Sequence, residues 1–379
     1  MAKKQVYLDN AATTPIAPEV VEAMIPIMKD FYGNPSSSHA FGRSVRAKIE
    51  YSRRSIASQL NVSPSEIIFT SGGTEADNMA VRCSLKHLGL KHAITTDIEH
   101  HAVLDTVEQV CEEENVKLSK VNLTKKGYVD LVHLEELLVS NERSFVSLMH
   151  ANNEIGNLLD LDKVAAICKR YDAVFHTDTV QTMGHYPFDF SKTRVQFATC
   201  AAHKFHGPKG VGFLYINNSL KIPSFIIGGG QERGMRAGTE NVYGIVGLAK
   251  ALDLAYEDVE EHEKHVKALK YHMIDRFEKE LPGVCFNGDP KGEALYTVLN
   301  VGMPPTEKGG MLLFNLDING VAASGGSACS SGAAISSHVL QGIDANPECP
   351  AVRFSFSRYS TKEEVDYAVD CVLDFYNKK

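Results

Sequence analysis

From residue 66 onward, short apolar runs alternate with amphipathic stretches. The runs cover residues 67–70, 92–96, 145–149, 173–178, 195–200 and 212–216, each of strand length. Between them, residues 103–114 and 161–171 carry apolar side chains at helical spacing. Strand and helix in alternation predict an α/β fold, a large and mostly parallel sheet with helices on both faces. Residues 249–280 read as one long charged helix, with Glu257, Glu260, Glu261, Glu263 and Lys264 on its wet side. It leads into a smaller α+β domain with strand-like runs at 298–301 and 353–356 and a closing helix at 362–376. The expected division is a large domain of residues 15–255 and a small domain of residues 1–14 and 256–379.

A chain of 379 residues is long for one ordinary core, which agrees with two domains. Its formal net charge of −8 argues against nucleic acid or an anionic membrane as main partner. Lys3 and Lys4 open the chain without an apolar segment behind them, so no signal peptide is expected. The eight cysteines (Cys83, Cys111, Cys168, Cys200, Cys285, Cys329, Cys349 and Cys371) are spaced irregularly, with no Cys-x-x-Cys pair. Neither a disulfide framework nor a metal site is expected, and a reducing, cytoplasmic setting is.

Lys204 lies in Ala201-Ala202-His203-Lys204-Phe205-His206-Gly207, just past one apolar run, and Asp178 closes the run before it. A strand-end aspartate beside a lysine suits pyridoxal 5'-phosphate. The amine attaches the cofactor as a Schiff base, and the carboxylate pairs with the ring nitrogen. A solvated lysine and a strand-end aspartate are the plain alternative for two such residues taken alone.

Five further stretches bear on that choice. Phe69-Thr70-Ser71-Gly72-Gly73-Thr74 turns from strand to helix, where free backbone N–H groups cradle a phosphate or simply begin a helix. Glu99-His100-His101 follows another strand, so His100 is placed to lie against a heterocycle or to be structural. Asn152-Asn153-Glu154-Ile155-Gly156 and Gln181 offer amides near the same strand ends, and an ordinary turn would use them too. Gly228-Gly229-Gly230 through Arg236-Ala237-Gly238-Thr239 is an irregular loop whose Arg236 and Thr239 suit a phosphate. Cys329 stands among glycine, serine and alanine, the setting of a reachable nucleophile, and Arg353 suits a substrate carboxylate.

Together with Tyr7-Leu8-Asp9-Asn10-Ala11-Ala12-Thr13-Thr14-Pro15 and Phe31-Tyr32-Gly33-Asn34-Pro35-Ser36-Ser37, these stretches, in this order, closely resemble the cysteine desulfurases. These are NifS/IscS-like members of the class V aminotransferase family, and the resemblance covers essentially the whole chain. It implies a fold type I pyridoxal-phosphate transferase that converts L-cysteine to L-alanine. Lys204 would hold the cofactor, Asp178 its ring nitrogen, and His100 would stack on the ring. Gln181 and Asn153 would bond its phenolic oxygen or the substrate. Thr74, His203 and the Gly73 backbone would hold the phosphate, joined by Thr239 from the other subunit of a homodimer. Cys329 would take the sulfur as a persulfide for a sulfur-acceptor protein, and Arg353 would bind the substrate carboxylate. A selenocysteine lyase would share the cofactor site without requiring Cys329. Two departures stand out: Ala201 replaces a frequent phosphate-binding serine, and Gly325 a frequent serine near the cysteine. The chain also closes at Lys379, short of the tail some relatives use to dock an iron–sulfur scaffold.

Overall fold

The computed structural model describes residues 4–325 and 337–377. Strand β1 (Val6–Tyr7) precedes helices α1 (Pro18–Asp30) and α2 (Ala40–Gln59). Strand and helix then alternate through β2 (Ile67–Thr70), α3 (Gly73–His87), β3 (His92–Thr95), α4 (His101–Glu114) and β4 (Lys117–Lys120). The alternation continues with α5 (Leu131–Val139), β5 (Ser144–Ser147), α6 (Leu161–Arg170) and β6 (Val174–Asp178). Next come β7 (Phe197–Ala201), β8 (Gly212–Ile216), α7 (Val242–Glu257) and α8 (Val259–Glu280). The described chain ends with β9 (Cys285–Phe286), β10 (Val298–Gly302), α9 (Leu312–Ile318), β11 (Val321–Ala322), α10 (His338–Gly342), β12 (Ala351–Ser355) and α11 (Lys362–Asn377).

Seven strands form one sheet in the order β2-β8-β7-β6-β5-β3-β4. All neighbours pair in parallel except β8, which is antiparallel to both β2 and β7. β2 therefore points the same way as β7, and every strand but β8 ends at one edge. Side chains alternate between the faces, as the pleat requires. On β6, Val174 packs with Met79 and Ala80 of α3 and Val107 of α4. Phe175 packs on the opposite face with Ile245 and Leu248 of α7. His176 and Asp178 fall on the α3 side by the same alternation.

The apolar pattern anticipates these strands except β4. Lys117-Leu118-Ser119-Lys120 holds one apolar residue and sits half exposed at the sheet edge, so its backbone pairing with β3 defines it. The helix expected over residues 249–280 is in fact two, α7 and α8, broken at Asp258 (φ −123°, ψ 31°). The two halves serve different cores. Leu248, Leu252 and Ala255 face α1 and α2, whereas Val266, Leu269, Met273 and Phe277 pack with Leu299, Phe354 and Val369. An unbroken helix would present only one continuous stripe.

The second core holds a three-stranded antiparallel sheet, β12-β10-β9, and the parallel pair β1-β11. Val6 and Leu8 belong to it, so the amino terminus crosses to the elements formed last in the sequence. Among the described residues, no helix is long and apolar enough to cross a membrane.

One buried ion pair ties the irregular loop before α7 to the sheet. Arg53 of α2 and Glu232 are 2% and 4% exposed and meet through two 2.8 Å hydrogen bonds. Glu232 also accepts from the Phe69 N–H at 2.8 Å, and Arg53 donates to the Ile67 carbonyl at 2.6 Å. Glu232→Ala leaves the buried guanidinium with Glu50, 3.0 Å from Nε, as its remaining carboxylate partner and frees the Phe69 N–H, and is expected to cost about 3 kcal/mol, read as a lowered urea midpoint. An unchanged midpoint would show that Glu50 or water satisfies Arg53.

Candidate active site

The sheet edge where the parallel strands end carries the polar residues. β2 leads into Gly73 and Thr74, β3 into His100, β5 into Asn153, β6 ends at Asp178, and β7 leads into His203 and Lys204. This is where a parallel sheet leaves room for ligands, in the crevice beyond the strand ends. All of these residues, with Gln181, Ala201 and Arg353, line one cavity of about 250 Å³.

Lys204 is the last residue of a single 3-10 turn, Ala202–Lys204, that follows β7. Its Nζ donates to the carbonyls of Ala11 and Ala12 at 2.6 and 2.9 Å. Gln181 donates to the same Ala11 carbonyl at 3.0 Å, and His203 Nδ1 lies 3.1 Å from Thr13 Oγ1. The amino-terminal segment thus forms part of the cavity wall.

Gly73 begins α3 and touches the segment after β6. A Cβ there would lie 2.7 Å from Val180 Cγ2, so a side chain would have to displace Val180 or the helix start. Beside this helix start, Thr74 and His203 supply polar side chains at the cavity. Ala201, also in the wall, offers no hydroxyl.

Asp178 is 6% exposed and accepts a 2.8 Å bond from the Val180 N–H. Burial, then repulsion from Asp77, pushes its carboxyl up to about 7. Asp77 of α3 is 1% exposed, lines the same cavity, and is pushed to about 7 by burial, against a Thr199 hydrogen bond. Its Oδ1 has no hydrogen-bond partner. His176 Nε2 lies 3.3 Å from that oxygen and 3.1 Å from Thr199 Oγ1. Burial lowers His176 to about 4, so the imidazole is neutral at pH 7 and the contact is no ion pair. A cationic ring nitrogen at Asp178 would oppose the repulsion from Asp77.

His100 caps α4, its Nδ1 accepting the Ala102 N–H at 3.1 Å. Burial, then the charge of Lys204, lowers it to about 4. A neutral ring with Nδ1 accepting keeps its proton on Nε2. Arg353 of β12 is 1% exposed and donates to Asp9 Oδ1 at 2.8 Å and to the Asn153 carbonyl at 3.1 Å. The helix start, buried carboxylate, neutral imidazole, lysine and arginine together fit a phosphorylated pyridine aldehyde and an amino acid.

Two residues of the irregular loop stand elsewhere. Arg236, expected near a phosphate, instead pairs with Glu75 through bonds of 2.8 and 3.1 Å. Thr239 is exposed and lines a separate groove with Phe31, Tyr32 and Tyr243. Cys329 lies outside the described residues. Sequence reading missed Asp77 and Asp9. Asp77 follows Thr74 by one helical turn and could have been found by that spacing. Asp9 meets Arg353 across 344 positions, which no local pattern signals.

Asp77 has a folded value near 7 against an ordinary carboxyl near 3.8, so its protonated form favours the fold. That contribution is whole below pH 4 and lost as pH rises through 7. Asp77→Asn in cofactor-free protein should therefore gain on the parent by up to about 1.4 kcal/mol per pH unit between 4 and 7. Urea midpoints across that range measure it, and a pH-independent difference would mean Asp77 titrates normally.

The family model for class-V aminotransferases matches residues 6–368. A cysteine desulfurase IscS from Dictyoglomus turgidum is 42% identical over 372 residues, covering 97% of this chain and 93% of that relative. A solved structure of a NifS-like protein superposes with a TM-score of 0.90 at 36% identity, covering 98% of this chain and 99% of that one. A structure of SspA in complex with cysteine gives a TM-score of 0.81 at 28% identity, covering 94% and 100%. With the strand-end lysine, aspartate and histidine in place, the chain belongs to the class-V aminotransferase family.

Proposed function

We propose that this protein is a pyridoxal-phosphate-dependent cysteine desulfurase, converting L-cysteine to L-alanine and passing the sulfur to Cys329 as a persulfide. The observation that carries the reading is the convergence of Lys204, Asp178, His100 and Arg353 on one cavity beside the start of α3. Pyridoxal phosphate, when bound, supplies an electron sink for the bonds around the substrate α-carbon.

The residues divide the remaining work. Gly73, Thr74 and His203 hold the phosphate at the helix start, and Asp178 holds the ring nitrogen in its cationic form. His100 covers the ring, while Gln181 and Asn153 orient the phenolic oxygen and the substrate. Arg353 receives the substrate carboxylate, already oriented by Asp9. Lys204 would anchor the cofactor through Nζ and, once it is displaced by substrate, Lys204 or His100 would move a proton at the reacting carbon. The Cys329 thiolate attacks the substrate sulfur while it is still bonded to carbon: the S–S bond forms as the C–S bond breaks, the electron pair stays with the carbon, and that carbon takes up a proton to become alanine.

In this reading the cofactor site belongs to a domain of residues 15–255, and Cys329 to one formed by residues 1–14 and 256–379. A homodimer brings Thr239 to the partner's phosphate site. The apolar surface around Thr239 supports this, with Tyr32 74% and Met28 52% exposed. The persulfide passes to an acceptor protein in the cytoplasm, for iron–sulfur cluster assembly or other sulfur trafficking. Incubation with cysteine, reading alanine and sulfide with and without a reductant, tests the activity.

Two substitutions test the assignments. Lys204→Ala should abolish turnover, and borohydride should fix a pyridoxyl group on Lys204 in the parent protein. A pyridoxyl group on another lysine would refute the anchor. Cys329→Ala should keep the bound cofactor's absorption and its response to cysteine, yet lose alanine production from cysteine. Turnover of cysteine at the parent rate would refute the persulfide step, whereas retained activity on selenocysteine alone would agree with it.

A further inference from the structure

Arg53 and Arg353 are buried against carboxylates, Glu232 and Asp9. Lys270 of α8 is buried without one. It is 2% exposed, and its Nζ donates to the Leu295 carbonyl at 3.0 Å. An ammonium carries three N–H donors, so that bond leaves two to be met. Glu263, on the same helix, is held instead by Lys267 at 2.6 Å. A buried charge with no opposite charge beside it is costly. Burial, then the charge of Lys267, accordingly lowers the Lys270 ammonium to about 7.

Lys270 lines a cavity of about 190 Å³, distinct from the one that holds Lys204. A water molecule's share of liquid is about 30 Å³, so the space admits a small organic ligand. The wall comes from both cores. Leu158 and Tyr186 follow β5 and β6 of the large sheet, Tyr271 lies on α8, and Tyr296 comes just before β10. The Leu158 N–H donates to the Glu293 carbonyl at 3.1 Å and closes the seam between them. Glu263 and Glu293 also line the space and would repel a dianion such as phosphate. A single carboxylate matches the single uncompensated ammonium, and Leu158 with the tyrosine rings gives a short carbon stem an apolar wall.

We propose that this cavity is a second binding site, for a small aliphatic monocarboxylate whose oxygens accept the two remaining Lys270 N–H bonds. Such charge-assisted bonds are the strong kind, and they turn an uncompensated buried cation into a paired one. The site needs neither the cofactor nor Cys329, so it stands apart from the desulfurase reading.

The test treats the cofactor-bound parent protein with methyl acetimidate, a small amine-modifying reagent, and reads Lys270 by peptide mass spectrometry. Lys270 should be modified, and propionate should protect it saturably while inorganic phosphate does not. A Lys270 that stays unmodified without propionate shows a cavity closed to small molecules and overturns the proposal. Modification undiminished by propionate, or protection by phosphate as strong as by propionate, overturns it too. Lys270→Met removes the charge, keeps a stem of similar shape and leaves Arg353 intact. Propionate should raise the urea midpoint of the parent more than that of this variant; equal shifts overturn the site.

Discussion

Parallel pairing of β3, β5, β6 and β7 is the constraint on which the site depends. Parallel strands deliver all their carboxyl ends to one edge, and the chain must leave each end through a turn. Thr74, His100, Asn153, Asp178 and Lys204 come from five separate returns to that edge. None is near another of them in sequence except through the sheet order. Moving one strand by a single residue would turn Asp178 to the opposite face, away from α3 and the cavity. The buried, closely packed interior of β5, β6 and β7 resists that slip.

Burial dominates the electrostatics at this edge. Two carboxyls, Asp77 and Asp178, share the cavity wall, and desolvation is the largest influence on each. Neighbouring His176 and His100 are held neutral for the same reason. The wall therefore presents little net charge of its own beyond Lys204 and the paired Arg353. A bound cation opposite Asp178 would convert a costly buried carboxylate into a satisfied one, which is the stabilisation such a site offers its cofactor.

The amino-terminal segment joins the two cores at this point. Val6 and Leu8 pack in the core of β10, β12 and α11. A few residues later, Ala11 and Ala12 accept the Lys204 amine, and Thr14 N–H donates to the His203 carbonyl at 2.9 Å. Between these, Asp9 holds Arg353 and also accepts the Ser324 hydroxyl at 2.9 Å, just before the stretch that contains Cys329. One short segment thus fixes Lys204, Arg353 and Ser324 relative to one another.

Taken alone, the order of apolar runs determined the alternating strands and helices, because a strand buried on both faces reads as a largely apolar run. Strand-end position marked Lys204, Asp178 and His100, since such residues have nowhere to go but the crevice. The sequence could not show β4, whose lysines and serine carry no apolar signal, because an edge strand is made by its neighbour's backbone. It could not show the break at Asp258, because only the presence of two cores demands a helix that faces both. Asp77 was legible by helical spacing, but its meaning depends on Asp178 and His176 being buried beside it. Asp9 with Arg353 was decided by tertiary structure alone. The two lie 344 positions apart along the chain, and distance in space is what sets a hydrogen bond.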